Sequence, residues 1–360
     1  MSSHLVDLYG HQKLRERFTE ASDRGTLPSS MLLHGPRGIG KQRLALWLGQ
    51  MFLCSGDQPR PCGRCPNCRY SRELAHPDLL WIFPRPRLKD SDPSLEDVRD
   101  DYAGAIAERV ARHGLYPSAS GSDGIYVATI RAVVRAASMS PAIATRKVFV
   151  IGDAERMVSQ EGSDQAANAF LKLLEEPPDD TTLILTSSEP GALLPTIRSR
   201  VIAVRVAPLA EAELREFVSD PVVTAHLEAD RSEHPPEELV REAAGAPGRL
   251  LEGPTQRDAT TQAHRLLDAA TSKDRAARYR IAFAQSATRA RGSFADTLDA
   301  LTTLLHERVR EAANAGDETG ATGAAKALEV VEGAKERVAT NVNPQLLTAS
   351  LLHDLSGLLQ

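Results

Sequence analysis

A glycine-rich loop between an apolar run and a helical segment constrains this chain more than any other feature. The run Met31-Leu32-Leu33 precedes Gly35-Pro36-Arg37-Gly38-Ile39-Gly40-Lys41-Gln42, and the helix-forming segment 43–48 follows. A strand, a glycine loop ending in Gly-Lys and a helix form the layout of a phosphate-binding P-loop. Glycines let backbone N–H groups approach a polyphosphate, and the helix N-terminus and the lysine supply positive charge. We therefore predict that Gly35, Gly38, Gly40 and Lys41 bind ATP or ADP.

The residue after Lys41 departs from the P-loop pattern. In P-loop proteins a serine or threonine hydroxyl at this position ligates Mg²⁺, but here the position holds Gln42. The prediction is a loop that contacts a nucleotide, with Gln42 among the contacts, but that lacks a normal Mg²⁺ ligand. The alternative interpretation is a plain glycine turn between a strand and a helix.

Four cysteines lie within one short segment. Cys54, Cys62, Cys65 and Cys68 are all the cysteines of the chain, and Gly63 and Pro66 break the helical pattern between them. Four thiolates suit tetrahedral Zn²⁺ at roughly 2.3 Å per bond, in a closed site with no open coordination position. The segment predicts a structural zinc module over 54–68; free surface cysteines are the alternative.

Apolar runs alternate with helical patterns through the first part of the chain. A run of this kind is typical of a parallel strand buried on both faces, so the alternation predicts a parallel sheet with flanking helices. A first amphipathic helix is predicted over 4–27. Strands are predicted at 31–33, 147–151, 182–186 and 201–206, and residues 76–82 are predicted to form a turn leading into a further strand.

From Pro208 onward the pattern is helical only, which divides the chain. We predict an α/β domain at 1–207, a small helical lid at 208–253 and an all-helical domain at 254–360. Residues 84–124 are rich in Pro, Asp, Ser and Gly around one helical stretch from Leu95, and they are predicted to be an insertion.

Composition narrows the classes of partner. The net charge of −5 gives no overall attraction to nucleic acid, and aromatic residues, at 4%, are few for base stacking. The beginning of the sequence lacks the apolar core of a signal peptide, and no apolar run approaches the ~20 residues of a membrane span. The expected location is the cytoplasm, with no membrane partner.

Several segments together resemble one family. "GHQKLRERF", "GTLPSSMLLHGPRGIGK", the cysteine cluster, "HPDL", "KVFVIGDAERM", "QAANAFLKLLEEPP", "LILTSSEPGALLPTIRSR" and "NVNPQLL" occur here in the order of the delta-prime clamp-loader subunits of bacterial DNA polymerase III. The resemblance is good over 8–82 and 125–206, weaker toward the end of the chain and absent from 84–124. It implies an AAA+ domain followed by a helical lid and a C-terminal collar domain.

The resemblance also assigns roles to single residues. In AAA+ ATPases an Asp-Glu pair at the end of a strand handles Mg²⁺ and the attacking water, whereas this chain has Gly152 and Asp153 there. Asp153 is the acid that remains near a bound nucleotide. Ser187 falls at a position whose polar side chain contacts the γ-phosphate; a capped turn is the alternative. Arg200, in a Ser-Arg-Val variant of the family's Ser-Arg-Cys motif, corresponds to an arginine finger that reaches a neighbouring subunit's ATP site; a structural ion pair is the alternative.

Together these features predict a non-hydrolysing or weakly active stator subunit of a hetero-pentameric clamp loader. The resemblance implies gamma/tau and delta subunits as partners, with the sliding clamp and primed DNA reached through the complex. The alternative function is an active motor ATPase related to gamma/tau. Such a motor is expected to keep Ser or Thr at position 42 and an Asp-Glu pair at 152–153, and this chain has neither.

Overall fold

The computed structural model describes residues 4–57, 59–90, 93–117, 119, 123–157, 164–231, 235–272, 274–284, 291–338 and 343–359. The chain divides into two compact units, one of 1–118 with 123–251 and one of 119–122 with 252–360, which are described separately below. The predicted boundary near 253 lies close to this division. The three-domain assignment itself stays a prediction.

The first unit is built on a parallel sheet of five strands within the described residues. The strand order is β2-β3-β4-β1-β5, and every neighbouring pair is parallel. The prediction of a parallel sheet with flanking helices is confirmed. Strand β5, at one edge of the sheet, is largely exposed, with Ile202 at 59%, whereas β2 at the opposite edge is mostly buried. The strands are β1 (Ser30–His34), β2 (Leu79–Ile82), β3 (Lys147–Ile151), β4 (Thr181–Ser187) and β5 (Ile202–Arg205).

Helices cover the sheet and continue into the end of this unit. The predicted first helix was too long, because residues before His11 run alongside other segments: the backbone N–H groups of Leu5 and Val6 donate to Arg72 and His113 carbonyls. The helices are α1 (Gln12–Asp23), α2 (Lys41–Leu53), α3 (Pro66–Arg72), α4 (Leu95–Ala111), α5 (Val127–Ala137), α6 (Asp164–Glu175), α7 (Pro195–Arg198), α8 (Glu211–Val218), α9 (Pro221–Arg231) and α10 (Pro236–Ala243), with 3-10 turns at Ala154–Arg156 and Pro247–Leu251.

The segment 84–124 is anchored to the sheet at both ends. Arg85 and Gly124 exchange backbone hydrogen bonds of 3.0 and 2.9 Å, which brings its start and end together. Between them α4 packs back toward β2, and the Arg109 guanidinium carbon lies 4.5 Å from the ring centroid of Trp81 and 3.2 Å from that of Phe83. The described part of this segment is therefore a packed extension of the sheet's edge.

The second unit is all helical in its described residues, as predicted. Its core consists mainly of small and aliphatic side chains, with one phenylalanine, and includes Ala263, Phe294, Leu298, Leu301, Val331 and Leu351. Helix α13 ends at Ala315 and α14 begins at Glu318, so only a short turn separates them. The helices are α11 (Pro254–Thr271), α12 (Arg275–Ala284), α13 (Arg291–Ala315), α14 (Glu318–Val338) and α15 (Pro344–Leu359).

Among the described helices of both units, none combines the length and the apolar character needed to cross a bilayer.

Asp78 ties the start of β2 to the loop before β3. Its side chain is 2% exposed, and its carboxylate accepts backbone hydrogen bonds from Ala142, Ile143 and Ala144 at 2.5, 2.9 and 2.8 Å. Burial alone would raise the pKa of Asp78, but the three donors outweigh it and the pKa lies below its usual value.

We expect Asp78→Asn to lower the free energy of unfolding by about 1–3 kcal/mol, because the amide turns a donor toward backbone N–H groups. A depressed carboxyl pKa stabilises the fold above the unfolded pKa, near 3.9, and that stabilisation is lost as pH falls through the lower folded value. The deficit should be equal at pH 8 and pH 6 in urea titrations. Asp100→Asn, at an exposed position of α4, is the control. Equal stability of the two variants would contradict the role of Asp78.

Candidate functional site

The glycine loop leads from the carboxyl end of β1 into α2. Gly38 and Gly40 have φ angles of 78° and 89°, in the left-handed region that favours glycine. A side chain at Gly35 would place its Cβ 2.3 Å from the Val206 carbonyl oxygen. The glycines therefore shape the loop itself, and Lys41 begins the helix directly after it.

Lys41 is buried and turned back onto the loop. Its Nζ donates to the carbonyl oxygens of Gly35 and Pro36 at 2.9 and 2.7 Å and to Ser188 Oγ at 2.9 Å. Burial lowers the pKa of Lys41 to about 8, against the opposing charges of Asp153 and Glu155. The ammonium that would meet the phosphates of a nucleotide is thus already satisfied by protein oxygens.

Gln42 occupies the place where the hydroxyl ligand of Mg²⁺ would be expected. Its Nε2 donates to Asp153 Oδ2 at 3.0 Å, and its Oε1 accepts from Trp81 Nε1 at 3.0 Å. The amide thereby joins α2, the end region of β2 and the turn after β3. Asp153, the acid predicted to lie near a nucleotide, is held by a side-chain donor of the same chain.

Gly152 leaves the space that the Gln42 amide fills. A Cβ built at Gly152 would lie 2.3 Å from Gln42 Oε1 and 2.7 Å from Nε2. Contacts that short force the amide to move, and both of its polar atoms are engaged. Glutamine at 42 and glycine at 152 are the two departures from the ATPase pattern. They depend on each other, because the Gln42 amide occupies the space that a side chain at 152 would need.

Two further polar groups meet at this edge of the sheet. The Thr186 hydroxyl accepts from the Asp153 N–H at 3.1 Å, and the Glu155 carboxylate accepts from the Ser188 N–H at 2.9 Å. Burial, reinforced by the neighbouring Asp153 charge, raises the pKa of Glu155 to about 7. Glu155 was not predicted as a site residue. The only available signal was its place two residues after Asp153, where a turn brings it back toward β4.

The hydroxyl of Ser187 is hydrogen-bonded within the turn that follows β4. It accepts from the backbone N–H of Glu189 at 3.1 Å, and the side chain is fully buried. The neighbouring Ser188, rather than Ser187, contacts Lys41. A nucleotide contact by Ser187 stays a prediction.

The outer side of the loop is held by two segments distant in sequence. The Gly248 N–H donates to the Gly38 carbonyl at 2.9 Å, and a Cβ at Gly248 would lie 2.8 Å from Gly38 Cα. A ring nitrogen of His11 lies 2.8 Å from the Ile39 carbonyl oxygen. Burial lowers the pKa of His11, which favours its neutral form. Both contacts are made to backbone carbonyl groups of the loop, one from a backbone N–H and one from the His11 ring.

The four cysteines converge on one point, as predicted. Their sulfurs lie within 4.8 Å of one another, close enough to hold one metal ion. The backbone N–H groups of Cys62, Cys65 and Cys68 each approach the sulfur of the preceding cysteine at 3.4 Å. Such donors stabilise thiolates, and four thiolates fit Zn²⁺.

Arg200 lies away from these groups, after α7. Its guanidinium donates to the Thr196 carbonyl at 2.7 Å and forms an ion pair with Glu175 at the end of α6. The side chain remains 26% exposed. Arg200 is therefore ion-paired within the chain and still reachable from outside.

The parallel sheet and the glycine loop at its carboxyl edge define an α/β protein of the P-loop type. Residues 10–210 match the sequence profile of the family described as DNA polymerase III, delta subunit. The match covers more than half of the chain, and the chain belongs to this family. The resemblance stated from the sequence motifs is confirmed.

Individual relatives agree with this membership. DNA polymerase III subunit delta' of Pseudomonas aeruginosa is 30% identical over 201 residues, 55% of this chain and 48% of that protein. DNA polymerase III subunit tau of Escherichia coli is 25% identical over 247 residues, 68% of this chain and 31% of that protein. A solved structure of a gamma subunit-related protein from Thermotoga maritima aligns over 98% of this chain and 100% of that chain at 18% identity, with a TM-score of 0.38. The two sequence matches span half or less of each relative.

We expect the purified chain to contain about one zinc ion, because four converging thiolates form a closed tetrahedral site. Total-metal analysis under reducing conditions measures it, and fewer than half an equivalent would contradict a zinc site. Cys68→Ser should lose the metal and lower the thermal midpoint, since metal binding contributes to folding. Asp57→Asn, at an exposed position between Cys54 and Cys62, should retain both.

We expect Gly152→Ala to cost about 1–3 kcal/mol of unfolding free energy, since the new methyl displaces the Gln42 amide. In a Gln42→Ala background the same change should cost less, which a double-mutant cycle in urea measures directly. Gly191→Ala, where a Cβ meets nothing within 4 Å, is the control. If the unfolding free-energy changes of Gly152→Ala and Gln42→Ala simply add in the double variant, the two residues are independent.

Proposed function

We propose that this chain is a clamp-loader subunit of the delta-prime type that keeps a nucleotide cradle but does not hydrolyse ATP efficiently. Family membership supports the class, and the geometry around Gln42 supports the lack of hydrolysis. It is a stator in this proposal, a subunit of fixed shape against which motor subunits work.

The observation that carries the proposal is the Gln42 amide bound to Asp153. Phosphoryl transfer depends on positioning and on charge neutralisation by Mg²⁺. Mg²⁺ requires oxygen ligands in near-octahedral geometry, whereas Gln42 directs an N–H₂ donor at the acid that remains. With Gly152 in place of a second acid, a metal ion would have to displace this hydrogen bond and would gain only one carboxylate.

Arg200 is the group we propose to act on a neighbouring subunit's ATP. Its exposed fraction makes it reachable, and its ion pair with Glu175 shows that the position accommodates an anionic partner. Exchanging the Glu175 carboxylate for a γ-phosphate would keep the guanidinium paired. An arginine finger supplied in this way is worth ~10³–10⁵ in rate in GTPases.

The proposed partners are gamma/tau and delta subunits in a hetero-pentamer, with the sliding clamp and primed DNA as the substrate of the whole complex in the cytoplasm. The second unit supplies an assembly surface in this proposal. Tyr279 and Phe283, four residues apart on α12, are 60% and 68% exposed, and Leu346 of α15 is 67% exposed. Exposed large apolar side chains that cluster mark protein interfaces.

We expect Arg200→Ala to lower the DNA-stimulated ATPase rate of a loader reconstituted with gamma/tau and delta subunits severalfold, while the subunit stays in the complex. The reason is loss of transition-state charge stabilisation at one ATP site. Steady-state ATP turnover and size-exclusion chromatography measure the two effects. Arg198→Ala is the matched control, because Arg198 is an exposed arginine two residues earlier.

Equal rates for the Arg200 and Arg198 variants would remove the finger role. The isolated chain should show negligible ATP turnover in the same assay. A solo rate of order 1 s⁻¹, within the usual range of enzymes, would instead favour the motor ATPase.

A further inference from the structure

A polar cavity lies in the first unit and is separate from the glycine loop. Its volume is about 400 Å³, within the range of small-molecule sites. It is bounded by the N-terminal segment, α1, α2, α3 and the cysteine module. Its walls combine apolar side chains with three arginines and one acid; the charged members are Asp7, Arg15, Arg43 and Arg72, and the apolar ones include Leu5, Leu8, Leu46 and Trp47.

The charges of this cavity are not balanced. Among the described lining residues Asp7 is the one acid: it pairs with Arg72 at 3.2 Å and its charge also acts on Arg15 and Arg43, so three guanidinium groups share one carboxylate. Burial lowers the pKa of Arg43 to about 10, so the guanidinium keeps its proton at neutral pH. Buried unpaired charge is costly. The cavity is thus strongly cationic in a chain whose net charge is −5.

Several buried donors around the cavity have no hydrogen-bond partner among the described residues. They are Arg15 Nε, Arg43 Nη1 and the hydroxyl of Ser71, a residue only 4% exposed. The remaining contacts fix the arginines in place: Arg43 Nη2 donates to the Val6 carbonyl, and the Arg15 guanidinium carbon lies 4.9 Å from the Trp47 ring centroid. Held guanidinium groups with spare donors are suited to an anion with several acceptor oxygens.

We propose that this cavity binds a phosphorylated small molecule, whose phosphate pairs with Arg15 and Arg43 and accepts from Ser71. A phosphate monoester carries a charge of about −1.5 to −2 near pH 7 and offers three acceptor oxygens, which match the two excess positive charges and a hydroxyl. A single carboxylate would neutralise only one of them. Trp47 and the leucines then contact the uncharged part of the ligand.

The proposed site is separate from the glycine loop, although both use α2. Lys41 and Gln42 face the loop and the end of β3, while Arg43 bonds the N-terminal segment on another side of the helix. None of the loop glycines 35, 38 and 40 lines the cavity. Substitutions in the two sites can therefore be tested independently.

The test is isothermal titration calorimetry of the full chain with inorganic pyrophosphate, in a Lys41→Ala background that removes the loop's lysine. Saturable binding is expected to persist there. Adding Arg15→Gln should weaken it at least about tenfold, as expected for loss of charge-assisted hydrogen bonds. Arg17→Gln, an exposed arginine on the same helix, removes the same charge and should change the affinity less than twofold.

Three outcomes would overturn the proposal: no saturable heat in the Lys41→Ala background, equal affinities for the Arg15 and Arg17 variants, or acetate competing as well as pyrophosphate. Circular dichroism and zinc content verify folding of each variant. Arg43→Gln provides a second removal of a lining charge and should weaken binding by a similar factor.

Discussion

The two hydrogen bonds of the Gln42 amide are the constraint on which the glycine loop and its surroundings depend. They connect α2 to Trp81 in β2 and to Asp153 in the turn after β3. In an ATPase a metal ion with its oxygen ligands performs the equivalent connection. Here the connection is made within the protein, and it requires that residue 152 lack a side chain. The arrangement ties the helix after the loop to the sheet, and the same contact carries the proposed lack of efficient ATP hydrolysis.

The polar groups of the loop are likewise bonded by other groups of the protein. Lys41 is satisfied by the carbonyls of Gly35 and Pro36 and by Ser188, and the loop's outer side is clasped by Gly248 and His11. A nucleotide that bound to the loop would have to replace these hydrogen bonds within the protein with hydrogen bonds to its phosphates. Such a cradle keeps its form without a ligand to organise it, which suits a subunit whose proposed contribution to a complex is shape.

The sequence predicted the sheet well because strands buried on both faces of a parallel sheet appear as continuous apolar runs, and β3 and β4 both do. The loop and the cysteine cluster were predictable because their chemistry depends on local spacing. The partners of Gln42 were not, since Trp81 and Asp153 lie 39 and 111 residues away in the chain. The first helix was overextended for a related reason: residues 4–11 are apolar enough for a helix, but their backbone bonds go to distant carbonyls.

Helix α2 contacts the glycine loop, the cationic cavity and the cysteine cluster. Its first residues form the P-loop lysine and the Gln42 bridge, its outer face carries Arg43 and Trp47 toward the cationic cavity, and Gln50 Nε2 donates to the Cys68 carbonyl at 3.1 Å. A metal ion held by the cysteines would therefore fix the far end of the helix whose near end shapes the loop. The cysteine cluster and the glycine loop are thus linked through the two ends of one helix. In the proposed function, a closed metal site at one end of α2 would stabilise the geometry of the nucleotide cradle at the other end.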